Sequence, residues 1–406
     1  LNPKRFALKP HLRSSPVPEI RRAVLAGALL ALAAVPARAG DAATGAKPGP
    51  MAELLQPMVG VNLAGAVVAV ATGDRVLDLE AVGYADLEAG KPMAPDTEFW
   101  IASESKAMTA AALMMLVDEG KVSVDAPVET YLPEFRDMRV KVAGQDGAAR
   151  LVPADHPILV REILSHTSGL AFSSPEEKPT LDLGALAKRV RSYARMPLNA
   201  QPGTKYAYSN AGINTAGRII EVVSGLAYEK FMEDRLFGPL GMTDTTFRPN
   251  LDQIARLAVT YKPSADKTKL ERTEIDQLKY PLDAPDREPM PAGGLFSTAG
   301  DEVRFCRMLL NNGMAGGVRY LSEGAVRQMT TRQSGPNTGV AYGFGWKTSD
   351  GAYSHSGADG TNVQVEPGSG VISVYMVQRA GTYPNNPKDI PELVNEAARR
   401  LVLRAR

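Results

Sequence analysis

The sequence predicts an α/β protein of the α+β kind: an antiparallel sheet built from N- and C-terminal strands and flanked by helices, with a mainly helical domain inserted between them. Three observations carry this. Val- and Ala-rich segments bounded by turn residues occupy both ends, at 61–84 and 342–378. The middle, 123–285, instead shows helical periodicity interrupted by prolines. Between the first strands and that middle runs an unbroken stretch of strong helix formers, Ala107 to Val117, closed by Gly120. With 406 residues and 44% hydrophobic content, the chain can bury a large core.

Residues 1–39 have the three-part layout of an export signal: Arg21-Arg22, an apolar run from Ala23 to Val35, and a small-x-small site at Ala37-Arg38-Ala39. The arginine pair suits the twin-arginine route, and the run is too short to span a bilayer comfortably. Residues 40–50 form a Gly/Ala/Pro-rich leader, expected to be disordered. The sheet domain is expected to comprise 51–122 plus 286–406. Val61–Thr72 and Asp74–Tyr84 read as a hairpin about Thr72-Gly73-Asp74. In the helical domain, 123–285, helices are expected at Leu159–Leu164, Leu181–Ala194, Asn214–Val223 and Ala227–Leu236. Pro263–Pro291, with five prolines and no periodicity, reads as a long surface loop. Ser297–Asn312 is helical, strands follow at Tyr342–Lys347, Ala352–His355, Asn362–Glu366 and Gly370–Gln378, and Asn386–Arg406 is an amphipathic helix.

Without residues 1–39 the chain holds 39 basic and 44 acidic side chains, a net charge near −5 that argues against nucleic acid or an anionic membrane as partner. The single cysteine, Cys306, excludes an internal disulfide framework, and its amphipathic surroundings suggest a packed thiol. His11, His156, His166 and His355 show no metal-ligand spacing, so neither a metal nor a cofactor is expected.

The chemistry starts at Phe99-Trp100-Ile101-Ala102-Ser103-Glu104-Ser105-Lys106. Ser103 stands at the first turn of the apolar helix, with Lys106 three residues on, over the same face. Unpaired N–H groups and the helix dipole favour negative charge there. A serine nucleophile needs a nearby base and a site that tolerates an oxyanion, and this geometry can supply both. An isolated S-x-x-K is short and made of common residues, and taken alone it is better read as a capping serine followed by a surface lysine. Two further segments add weight. Tyr208 and Asn210, one residue apart in Tyr206-Ala207-Tyr208-Ser209-Asn210, would point the same way in an extended segment. A phenolate held by a lysine ammonium can take a serine proton, and an asparagine can bind a carbonyl or amide. In Tyr353-Ser354-His355-Ser356-Gly357-Ala358, the glycine lets another backbone approach closely.

Together and in this order, these segments resemble the serine β-lactamase and penicillin-binding peptidase superfamily on its class C-like branch. That branch holds class C β-lactamases, D-alanyl-D-alanine carboxypeptidases and the eighth family of bacterial carboxylesterases. Its motifs S-x-x-K, Y-x-N and Lys/His-x-Gly match Ser103/Lys106, Tyr208/Asn210 and His355/Gly357. Ile163–Leu170, Pro239–Thr245 and Gly293–Thr298 look like the same family, and the similarity runs from Val61 to Val377. The resemblance implies a β-lactamase/transpeptidase-like fold, with Ser103 as nucleophile and Lys106 and Tyr208 sharing the base role. It implies an oxyanion hole from the backbone N–H groups of Ser103 and Ala358, and substrate contacts from Asn210, His355, Ser356 and Gly357. His166, in Ser165-His166-Thr167-Ser168-Gly169, lies in a segment that is structural in the relatives. No serine has the G-x-S-x-G spacing of a nucleophile elbow.

The third motif, His-Ser-Gly, departs from the Lys-Thr-Gly of class C β-lactamases and the Trp-x-Gly of many of the esterases. The expected function is an exported serine hydrolase, periplasmic or secreted, cleaving small esters as a carboxylesterase. A β-lactamase or D-alanyl-D-alanine carboxypeptidase is the alternative. From another class, a penicillin- or peptidoglycan-binding protein that does not turn over stands third. The expected partner in each case is a small ester, β-lactam or peptide.

Overall fold

Gly65–Ala71 (β1) and Val76–Asp86 (β2) form an antiparallel hairpin with Val67 opposite Ala81 and Ala69 opposite Leu79. Every residue of β1 is buried, which is why it reads as one apolar run rather than an alternation. The computed structural model describes residues 38–39, 48–144, 148–383 and 390–406. The other strands of this sheet come mainly from the far end of the chain. Lys347–Ser349 (β3), Ala352–Ser356 (β4), Asn362–Glu366 (β5) and Val371–Met376 (β6) form a meander, and β6 returns to pair antiparallel with β1, Val374 opposite Ala69. The order across the sheet is β2-β1-β6-β5-β4-β3, with Arg38–Ala39 pairing parallel to Glu80–Ala81 outside β2.

Alternation in β1 sends Val68 and Val70 to one face, where they pack with Tyr375 and the helix Ile390–Ala405 through Val394, Ala398 and Val402. Val67, Ala69 and Ala71 face the larger core. That core holds the helix Ser105–Asp118, apolar on all sides because it is surrounded. It also holds Ala299–Leu310, with Cys306 packed inside as expected, and the helices Leu186–Ala194 and Asn210–Ser224 of the middle segment.

Three expectations are corrected. The middle segment contains a β-hairpin, Arg139–Ala143 with Ala149–Pro153. Its signal was the alternation Arg139-Val140-Lys141-Val142, and Val140 is the buried member. Pro263–Pro291 is not a simple surface loop. It completes a hairpin, Thr260–Pro263 with Leu270–Thr273, and then buries Ile275, Leu278 and Leu282 against Trp100 and Phe296. Tyr342–Lys347 is not a strand: Tyr342 only bridges to Lys347, and regular pairing begins at Lys347. Gly345, at φ +76°, turns the chain there.

The expected export signal and leader lie outside the described residues apart from Arg38–Ala39 and 48–50. Among the described residues no helix is long and apolar enough to cross a membrane.

Candidate active site

The turn that carries Ser103 is strained. Ala102, buried, sits at φ +47°, and the 3-10 turn Ala102–Glu104 runs directly into the helix Ser105–Asp118. A left-handed alanine costs roughly 1–2 kcal/mol and persists only where its surroundings hold it. Ser105 does the holding. Its Oγ donates to the Ala102 carbonyl at 2.6 Å and accepts from the Leu295 N–H at 3.2 Å. The result is a half-buried Ser103 at the head of a helix buried from Ser105 to Leu116. Glu104, the next residue, points into the core, where burial pushes its carboxyl well above the usual range.

Lys106 is completely buried, and its Nζ lies 3.0 Å from Ser103 Oγ. The same nitrogen donates to the Ala292 carbonyl at 2.5 Å and sits 4.7 Å above the centre of the Tyr208 ring. The Ala292 peptide is fixed in turn by its N–H, which donates to Asn214 Oδ1 at 3.1 Å. Burial pushes the Lys106 ammonium well below the ordinary lysine range. Burial also pushes the Tyr208 phenol up, only partly opposed by the Ser103 hydroxyl it faces. Both charged forms of the ammonium–phenolate pair expected from sequence are therefore disfavoured. Burial thus favours an amine over an ammonium at Lys106 and a phenol over a phenolate at Tyr208.

Tyr208 and Asn210 flank Ser209, which caps the helix Asn210–Ser224. Ser209 Oγ accepts from the Gly212 N–H at 3.1 Å and donates to the Ala171 carbonyl at 2.7 Å. Asn210 thereby starts the helix buried, its side-chain oxygen without a partner among the described residues.

β4 delivers the third motif. At Gly357 a Cβ would stand 2.7 Å from the Ile101 carbonyl and 2.3 Å from Thr361 Oγ1, so only glycine lets the strand end lie against the residue that enters the serine turn. The close backbone approach read from sequence is made by the chain itself. Ala358 and Ser356 are exposed beside it, and Ser356 Oγ accepts from Asn362 Nδ2 at 2.9 Å.

His355 is buried. Its Nδ1–H donates to the Ser356 carbonyl at 3.0 Å, so Nε2 accepts from the Tyr342 hydroxyl at 2.9 Å. Burial lowers its pKa to about 3. A histidine with that pKa stays neutral from pH 5 to 8. The pH profile of kcat/KM should therefore carry no histidine limb in this range. His355→Gln is expected to lower the rate without changing the profile's shape. A limb near pH 6.5 in the wild type that vanishes in the variant would show that His355 titrates during turnover. The same depression makes His355 a source of acid lability. The unfolded chain takes up its proton near 6.5 and the folded one only near 3, so stability falls as pH drops through that window.

Tyr342 is the site residue that sequence reasoning missed. It is buried, with its ring 4.7 Å from His166 and 5.8 Å from Tyr206. The available signal was the glycine–aromatic alternation Tyr342-Gly343-Phe344-Gly345-Trp346. A Cβ on Gly345 would meet the Lys106 carbonyl at 2.6 Å, so this loop is shaped to pack on the serine helix. His166 also lies in the site. Its ring is 4.4 Å from that of Tyr208, and it is fully buried at φ +60°. Burial holds its imidazole well below the usual histidine range.

A sheet assembled from both chain ends, carrying a serine in contact with a buried lysine and a tyrosine beside both, defines a serine hydrolase of the β-lactamase/transpeptidase class. The chain belongs to the Beta-lactamase family, whose family model matches residues 51–398. Protein Rv1367c of Mycobacterium tuberculosis is 35% identical over 78% of this chain and 86% of its own length. Penicillin-binding protein 4 of Amycolatopsis lactamdurans is 30% identical over 78% of this chain and 81% of its own. Esterase EstB of Burkholderia gladioli is 30% identical over 70% and 75% respectively. Among solved structures, EstCE1, a hydrolase with promiscuous acyltransferase activity, shares the fold with a TM-score of 0.69, covering 87% of this chain and 97% of its own at 24% identity.

Proposed function

We propose that this protein is an exported carboxylesterase that cleaves small, uncharged esters through an acyl-enzyme on Ser103. The observation that carries the catalytic part is the 3.0 Å contact between Ser103 Oγ and the nitrogen of a fully buried lysine, whose charged form burial disfavours. The Lys106 lone pair takes the serine proton as Oγ attacks the ester carbonyl. The negative charge that forms on the carbonyl oxygen is met by the N–H groups of Ser103 and Ala358. Tyr208, holding its phenolic proton, passes it to the departing alkoxide and then draws a proton from the water that releases the acid. Asn210 and His355 orient the substrate, the latter through the edge it shares with Tyr342, and Ser356 and Gly357 line the strand along which the substrate lies.

The preference for esters rests on the third motif. β-Lactams and D-alanyl-D-alanine peptides carry a carboxylate, which a lysine at the third motif would attract. Here the position is filled by a neutral imidazole already engaged with Tyr342. The likeness to EstB agrees with this reading, whereas the likeness to penicillin-binding protein 4 supports the alternative of a β-lactamase or peptidase. Export is supported by the basic, apolar and small-residue succession within residues 1–39.

Parallel turnover of a short-chain aryl ester, a cephalosporin and a D-Ala-D-Ala peptide tests the assignment. The ester is expected to give the highest kcat/KM by at least about 10². Higher kcat/KM on the cephalosporin or the peptide would reverse the order, and stoichiometric acylation without turnover would make the protein a binder.

A further inference from the structure

The catalytic tyrosine lies in a stretch, Thr204–Ser209, that belongs to no helix or strand. Such a segment has no ladder of its own to fix a side chain, and its backbone donors must be satisfied from outside. Both donors next to Tyr208 go to the same residue. The Ala207 N–H donates to the His166 carbonyl at 2.8 Å, and the Ser209 N–H donates to His166 Nδ1 at 3.2 Å. Between those two anchors the imidazole lies against the Tyr208 ring, centroids 4.4 Å apart and planes tilted by 45°. The ring is packed on its other contacts by Tyr206 and Tyr342. To reach both donors the residue adopts φ +60°, a region that histidine enters only at a cost. Its Nε2 is buried and has no partner among the described residues, so the imidazole is held in place by Nδ1 and by ring contacts alone.

We infer that His166 is the positioning residue of Tyr208: one side chain and its own carbonyl bracket the tyrosine, fixing the phenol over Ser103 and Lys106. This rests on the catalytic role proposed for Tyr208 and extends it to a residue outside the three motifs. A displacement of about 1 Å in a reacting group can cost on the order of 10²-fold in rate. His166 therefore acts on kcat, through Tyr208, and leaves KM nearly alone.

Two substitutions separate this from mere packing. His166→Asn places an amide oxygen where Nδ1 stood and tolerates the left-handed backbone. His166→Gly keeps that backbone but removes acceptor and ring together. With an aryl ester as substrate, His166→Gly is expected to lower kcat by about 10- to 100-fold with KM changed less than about 3-fold. His166→Asn is expected to stay within about 3-fold of wild type. In a Tyr208→Phe background, where there is no phenol to position, His166→Gly should cost less than about 2-fold. An undiminished loss in that background, a loss confined to KM, or a folded His166→Asn as impaired as His166→Gly would overturn the inference. If His166→Gly does not fold, His166→Asn decides: a folded variant whose kcat falls by more than about 10-fold refutes the bracket. If Tyr208→Phe itself leaves kcat unchanged, the catalytic reading falls first. If Tyr208→Phe lowers kcat and the His166 effect is not absorbed by it, only the bracket falls.

Discussion

Ser103→Ala is expected to reduce ester turnover by more than about a thousandfold, since removing the nucleophile of an acyl-enzyme mechanism typically costs at least that. A fluorophosphonate should label wild-type protein on the peptide containing Ser103 and leave the variant unmodified. The fold should survive, because the side chain is half-buried and its hydroxyl, among the described residues, meets Lys106 and Tyr208. Retention of more than about a thousandth of the rate, or labelling elsewhere, would sink the assignment. The informative control is Ser105→Ala, two residues on. Sequence alone gives Ser105 no role, but its hydroxyl pins the left-handed turn at Ala102 and satisfies the Leu295 N–H. Its loss should therefore show as lowered thermal stability, since a buried donor is left unpaired at about 1–3 kcal/mol. Phosphonate labelling should still fall on Ser103.

Tyr208→Phe should lower kcat by ~10²–10⁴-fold, the range typical of a general acid–base group. The substitution keeps the ring, and with it the contact beneath Lys106 and the packing against His166, so the loss reports the hydroxyl rather than a cavity. The two kinds of substrate should suffer unequally. An activated aryl ester expels a good leaving group that needs little protonation, whereas an amide or lactam nitrogen must be protonated to leave. The ratio of kcat/KM for an aryl ester to that for any amide or lactam accepted by the wild type is expected to rise. If the ratio is unchanged or moves the other way, Lys106 alone carries the proton.

Both predictions concern residues that the sequence exposes. Ser103 and Lys106 are legible because helical spacing alone puts them on one face, and Tyr208 because it stands one residue from Asn210 just ahead of a helix. The antiparallel sheet was legible from composition: the Val- and Ala-rich segments at 61–84 and 342–378, bounded by turn residues, need partners, and each finds the other. What escaped depends on contacts distant in sequence. Nothing local in Tyr342 announces that its hydroxyl meets His355, since their meeting follows from the turn at Gly345 packing on the serine helix. Likewise, burial disfavours the charged forms of Lys106 and Tyr208, and burial is something no motif states. The segment 263–291 misled because its prolines and charges hide the three apolar residues that anchor it.

The pairing of β1 with β6 governs when, during its synthesis, the molecule becomes competent. Ala71 lies opposite Ile372, so this contact closes a loop of roughly 300 residues. The entropy of such a closure grows only logarithmically with length, but pairings this distant are slow to find. A chain emerging N-terminus first possesses Ser103, Lys106 and Tyr208 well before it possesses β4. Until the last strands arrive, Ile101 has no Gly357 against it, and the serine turn has no opposing edge to receive a carbonyl. On the proposed mechanism Ser103 is expected to stay silent through translation, and a molecule clipped before β4 would keep Ser103, Lys106 and Tyr208 without the expected ester turnover.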